Sequence, residues 1–218
     1  MTLQGFRTNK CLNLRAQPQK NRTQMKDANE PVVHRQKNFS NVNYAEKRLE
    51  NREFIKCSFV NCDFTKSNLS GNDFEDCNFE QCNFSMAIVL NTGFRNAVFS
   101  NCKLLGFDFA SCNKFLFSFS FSDCILDYAT FFGAKLKKTK FINCSLKEVD
   151  FSESDLSFAV FSNCEMAGAR FLNVNLEKAD FRTARNFIID PQVNKVKYAK
   201  FSAQNLEGLL LAYHLDIE

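Results

Sequence analysis

The chain has no tryptophan, three prolines, seven glycines and two histidines in 218 residues. The histidines, His34 and His214, are too few and too far apart in sequence to be read as acid and base partners. No stretch approaches the roughly 18 consecutive apolar residues of a membrane span. The opening segment, MTLQGFRTNKCLNLRAQPQKNRTQMKDANE, lacks the apolar core of a secretory signal. A cytoplasmic protein with no membrane association is therefore expected. Its ten cysteines are expected to be reduced thiols, because a disulfide framework belongs to short exported chains. They also lack the CxxC spacing and nearby histidines that favour zinc, so neither metal nor cofactor is expected.

Charge of one sign is also missing from most of the chain. The formal net charge is +4, but residues 1–40 hold eight Lys or Arg against two acids, +6, and residues 41–218 hold 20 against 22, −2. A basic arm precedes a nearly neutral body. The arm shows no periodicity and is rich in Gln, Asn, Lys and Arg, a composition that buries too little to order itself.

What is abundant is phenylalanine, 26 residues, and a rule places it. Stepping by five from Leu49 reaches Phe54, Phe59, Phe64, Leu69, Phe74, Phe79 and onward to Phe109, every one apolar. After a two-residue slip around Ala110–Phe115 the series resumes at Leu116 and runs to Phe181. The residue two before each centre is usually Cys, Ala or Ser. Period five fits neither a helix nor a simple strand, so the chain must turn a corner in each repeat and coil into a solenoid.

Four corners close a coil, because likeness recurs at 20. Phe59, Phe79, Phe99, Phe121, Phe141, Phe161, Phe181 and Phe201 form one column, spaced by 20 except for 22 across the slip. Cys62, Cys82, Cys102, Cys124, Cys144 and Cys164 form a second, read as small apolar filler. Cys11 and Cys112 fall outside the inward small positions and are the thiols left for any reactivity.

Runs such as CSFVNCDFTKSNLSGNDFEDCNFEQCNFS and VDFSESDLSFAVFSNCEMAGARFLNVNLEKADF resemble the A(D/N)LXX pattern of the pentapeptide-repeat family. The resemblance implies a right-handed quadrilateral β-helix, here of about eight coils. The expected division is a basic arm over 1–40, the β-helix over 41–202 and a C-terminal capping helix over 203–218. Qnr and MfpA type members of that family resemble B-form DNA, bind type II topoisomerases and protect them from quinolones. The resemblance implies that role and a homodimer through the terminal helix, where Leu206, Leu209, Leu210 and Tyr213 fall at helical spacing.

A DNA mimic must show dense negative charge to a basic groove. The best local surface for it is the cluster Asp63, Asp73, Glu75, Asp76 and Glu80, although stepping by 20 stacks only Glu53 with Asp73. Lys135, Lys137, Lys138, Lys140 and Lys147 read as a solvated basic face. Direct nucleic-acid binding by the body is not expected. The carboxylates should lie on a convex surface without a deep pocket, so no catalytic residue is assigned, and a scaffold for some other protein partner is the competing expectation.

Overall fold

The computed structural model describes residues 30–115, 117–213 and 215. The chain divides into two units, Met1–Glu30 and Pro31–Glu218, and the architecture is that of the second. Its strands are short: β1 Val32–Arg35, β2 Asn38–Ser40, β3 Arg52–Ile55, β4 Ser58–Val60, β5 Asp73–Glu75, β6 Asn78–Glu80, β7 Gly93–Ser100, β8 Phe117–Ser122, β9 Lys140–Ile142 and β10 Val160–Ser162. All pair in parallel with a strand of the next coil. Single parallel bridges such as Asp63↔Asn83 and Asp150↔Arg170 continue the ladder on the other faces.

The corners explain the five-residue period. In Phe64–Ser67 the Ser67 amide donates to the Phe64 carbonyl at 3.0 Å, and Lys66 between them has φ 53°. That is the turn whose third residue must be left-handed. The same conformation recurs at Asn61, Asn101, Asn143 and Asn163 and at Gly71, Gly106, Gly133 and Gly168, residue types that tolerate it. At most of these corners the left-handed amide then donates to a carbonyl of the next coil, as Lys66 does to Ser85 at 2.9 Å, while that of Asn163 donates to the Thr183 hydroxyl at 2.9 Å.

Inside, the phenylalanine column runs unbroken from Phe39 to Phe201. Consecutive rings lie 4.6–5.4 Å apart with planes within 17° of parallel. Neighbouring columns meet edge to face, as Phe54 does with Phe59 at 5.3 Å and 71°. Both geometries suit the ring quadrupole. The thiols of Cys62, Cys82, Cys102, Cys124 and Cys164 line the interior and point at carbonyl oxygens of the preceding coil at 3.3–3.5 Å.

Two boundaries differ from expectation. The solenoid begins at Val32, not 41, because β1 pairs with β3 and β2 with β4. His34, Phe39 and Tyr44 continue the series backwards in fives and stack on Phe54, Phe59 and Phe64. A histidine at one centre and Lys37, Arg52 and Lys47 at small positions had obscured the pattern. Residues 31–40 therefore belong to the β-helix and not to an arm.

At the other end, the helix expected over 203–218 is one turn, α1 Glu207–Leu210, between 3-10 turns at Ala203–Asn205 and Leu211–Tyr213. Gly208 within it lowers helix propensity, and its Leu206 cap makes no side-chain hydrogen bond. Tertiary contact holds the segment instead. Leu209 packs on the core, and the Ile189 amide donates to the Gly208 carbonyl at 2.9 Å.

The slip is also local. Asp108 caps a 3-10 turn at Phe109–Ser111, accepting from the Ala110 and Ser111 amides. Phe119 occupies the level of Ala97, so a ring fills what is elsewhere a small position. Phe115 is 97% exposed. Cys112, expected outside the inward positions, is buried.

Candidate interaction surface

The four-sided coil gives each residue a fixed exterior address. Asp73 and Glu75 flank the Phe74 ring on one face, Asp76 turns the corner with φ 51°, and Glu80 lies on the adjoining face. Glu53 stacks on Asp73 in register. These five carboxylates surround one corner of the solenoid. Asp63 does not join them: it lies one face further on, and its Oδ1 accepts from the Thr65 amide and hydroxyl at 2.9 and 2.5 Å.

The corner is less negative than the count of carboxylates suggests. Arg95 reaches Glu75 at 3.0 Å. Desolvation raises the Asp73 pKa above the ordinary carboxylate value, opposed by the Arg95 charge. A shallow depression of about 140 Å³ lies between Glu53, Asp73, Glu75 and Arg95.

Further along the same corner the sign reverses. The ladder Asn78, Val98, Ser120, Lys140 ties the two regions together, and the corner residues ahead of it run Asp76, Asn96, then Lys138, Phe158, Lys178 and Tyr198. Lys135 and Lys195 end the ladder Lys135, Asp155, Asn175, Lys195 beside it. Phe158 is 40% and Tyr198 69% exposed. The ammonium groups of Lys137 and Lys178 lie 5.6 and 5.0 Å from the Phe158 ring centre, and that of Lys197 lies 5.2 Å from Tyr198. Of the expected basic face, Lys147 is elsewhere, its amide donating to Asp127 on another side.

The basic edge was only half legible in the sequence. The run LKKTKF is local, but Phe158, Lys178, Tyr198 and Lys200 join it only when the chain is stepped by 20 from Lys138 and Lys140.

The expected dimer stripe is split. Leu209 packs inward and Leu210 is half-buried, while Leu206 and Tyr213 are exposed. The Tyr213 hydroxyl accepts from Gln192 at 3.3 Å. Two of the thiols are poor nucleophiles: burial pushes Cys77 up to about 12, and burial followed by the nearby Asp108 charge pushes Cys112 up as well. Cys11 and His214 lie outside the described residues. Among the described residues no group of His, Cys, Asp and Glu is placed to hold a metal ion, and no helix is long and apolar enough to cross a membrane.

Parallel coils of four faces, with one large and one small inward residue in each five, define a quadrilateral β-helix. The chain carries pentapeptide repeats: that family's model matches in eight copies over residues 53–85 and 144–182, about a third of the sequence. A search of curated proteins returns no match. Among solved structures the chain is similar to HetL, a pentapeptide repeat protein involved in heterocyst differentiation regulation from the cyanobacterium Nostoc sp. strain PCC 7120. The identity is 14%, over 79% of this chain and 87% of that one, with a TM-score of 0.61. A trypsin-treated form of QnrB1, a plasmid-mediated fluoroquinolone resistance protein, aligns at 19% identity over 85% of this chain and 100% of that one, with a TM-score of 0.44. At 14% identity the likeness to HetL is one of fold.

Proposed function

We propose that the protein is a non-catalytic, cytoplasmic binding protein that presents its exterior to a protein partner, and that the partner is a type II topoisomerase met through the acidic corner. The observation that carries this reading is the convergence of Glu53, Asp73, Asp76 and Glu80 around one corner of a rigid solenoid. A fixed array of carboxylates suits a groove built to take phosphates. The fold is that of a family with members of this kind.

The test is gyrase supercoiling in the presence of ciprofloxacin. Restored supercoiling at stoichiometric protein, lost when Asp73, Asp76 and Glu80 are replaced by Asn, Asn and Gln, supports the reading. No restoration at tenfold molar excess removes it. The second reading, a scaffold for another protein, is favoured by the basic edge over Lys135–Lys140 and Lys195–Lys200, which a phosphate-binding groove would repel. Pull-down with the basic edge reversed in charge separates the two, since only the scaffold reading needs those lysines.

A further inference from the structure

One corner of the solenoid carries two opposite charge clusters, and their positions match residue for residue. Asp76 and Lys138 occupy the same left-handed corner and stand two residues ahead of Asn78 and Lys140, which are three ladder steps apart. Glu75 and Lys137, and Asp73 and Lys135, repeat the match on the adjacent face. Three steps of about 4.8 Å separate the clusters by roughly 15 Å. That exceeds the Debye length of about 8 Å at physiological ionic strength, so neither cluster neutralises the other within one chain.

We propose that this corner pairs two copies of the chain side by side and antiparallel, about a two-fold axis midway between Asp76 and Lys138. Such a contact is isologous, so every attraction occurs twice. It sets Asp73, Glu75 and Asp76 against Lys135, Lys137 and Lys138 of the second copy. One coil further out it sets Lys56 against the exposed ring of Phe158, and beyond that Arg35 against Glu177. Ser118, Ser120 and Ser122 of β8 lie near the axis, where small side chains let the copies approach.

The register is selected by what its neighbours cost. Shifting the contact by one coil brings Asp73 against Asp155 and Glu75 against the uncharged Ser157; shifting it by two brings Glu75 against Glu177 and keeps only the attractions of Asp76 to Lys178 and of Glu53 to Lys195. In the favoured register Glu53 against Asp155 is the like-signed pair, outnumbered by the three attractions beside it. A parallel pairing would put acid on acid and base on base throughout. The inference is independent of a topoisomerase role, although it draws on some of the same carboxylates.

The test is sedimentation velocity of the full chain, free of nucleic acid, at 50 and 500 mM NaCl. The expected result is a dimer at low salt that weakens at least about tenfold at high salt, as exposed charge pairs do. The double variants Lys137→Glu/Lys138→Glu and Glu75→Lys/Asp76→Lys should each be monomeric, and an equimolar mixture should recover the dimer. Glu148 and Lys56 already occupy left-handed corners, so the exchanged residues suit the backbone, and recovery in the mixture shows that both variants fold. The proposal is overturned by a monomer at 50 mM NaCl, by dimeric single-sided variants, or by a mixture that stays monomeric. A dimer lost only on Tyr213→Asp would place the contact at the terminal turn instead. A wild-type chain that stays monomeric but binds a single-stranded oligonucleotide through Lys137 and Lys138 would assign the basic half to nucleic acid.

Discussion

Replacing Phe141 by alanine tests whether the aromatic column is what holds consecutive coils together. Phe141 is fully buried, with Phe121 and Phe161 stacked at 5.2 and 5.0 Å and Phe131 and Phe151 edge to face at 5.9 and 6.0 Å. Truncating a buried Phe costs about 3–5 kcal/mol from lost transfer energy and the cavity left behind. Each coil's backbone is tied to its neighbours by hydrogen bonds, so the walls collapse little and the upper part of that range applies. With a urea slope of about 2 kcal/mol/M, the midpoint should fall by roughly 2–2.5 M. Phe141→Leu keeps most of the volume, as Leu126 and Leu146 do at neighbouring inward centres, and should lose about 1.5 kcal/mol or less. Because coils touch only their neighbours, the Ala variant should also lose cooperativity, the coils before residue 141 separating from those after it in hydrogen exchange. An Ala variant within about 1 kcal/mol of wild type, with amide protection uniform along the chain, would refute the claim that the column carries the stability.

Three further outcomes follow from particular contacts. Asn72 is buried, its Nδ2 donating to the Leu49 and Leu69 carbonyls at 2.8 Å and its Oδ1 accepting from the Arg52 amide at 2.9 Å. Asn72→Leu strands these groups and should cost roughly 2–3 kcal/mol in urea denaturation. The His34 pKa is lowered by burial, then by Arg52 and Lys37, so the unfolded chain takes up the proton more readily. The stability this histidine contributes is complete above its unfolded value of 6.5 and is lost as the pH falls through that value toward the lower folded one. His34→Phe should abolish that part of the decline, read as the difference between the two proteins' unfolding midpoints from pH 7.5 to 5. A Cβ on Gly208 would run into the Phe187 carbonyl oxygen and ring, so Gly208→Ala should cost about 1–3 kcal/mol and release the Ile189 amide to hydrogen exchange.

The interior was legible because it is a repeat. One large and one small inward residue in every five suffice to count the faces, and the recurrence of Phe and Cys at 20 suffices to stack them. The pattern failed where chemistry replaced size. At the first coil His34 does an aromatic ring's work, and Arg52 stands where a small residue is expected. Across the slip Cys112 keeps an inward position that its distance from the neighbouring series concealed, while Phe119 fills a small one. The terminal segment misled for a different reason. Leucines at helical spacing fit a helix, but with Gly208 in the middle and no side-chain cap the segment adopts one α turn and takes its stability from Leu209 and the Ile189 amide.

The exterior follows a different logic, and it explains why function was harder to read than fold. Inward positions are constrained by packing, and each answers to its neighbours at 5 and 20. Outward positions answer to nothing inside the chain, so their pattern is free to record what the surface meets. Along the corner of Asp76 and Lys138 that freedom gives acid at one level and base three levels on, with Asn96 and Ser118 between. Random decoration of a soluble surface would interleave the signs, which lowers repulsion within each coil. Lysines gathered at Lys135, Lys137, Lys138 and Lys140 within one coil repel one another, and the structure sets no carboxylate within ion-pair distance of them to offset it: among the described residues the ion pairs are Arg48–Glu50, Arg95–Glu75 and Arg182–Asp180. Water, salt and the Phe158 ring beside Lys137 offset part of that repulsion, and an opposite charge from outside the chain would offset more. The acidic end of the same corner supplies that charge in the right order, so the surface that makes least sense for one copy makes sense for two.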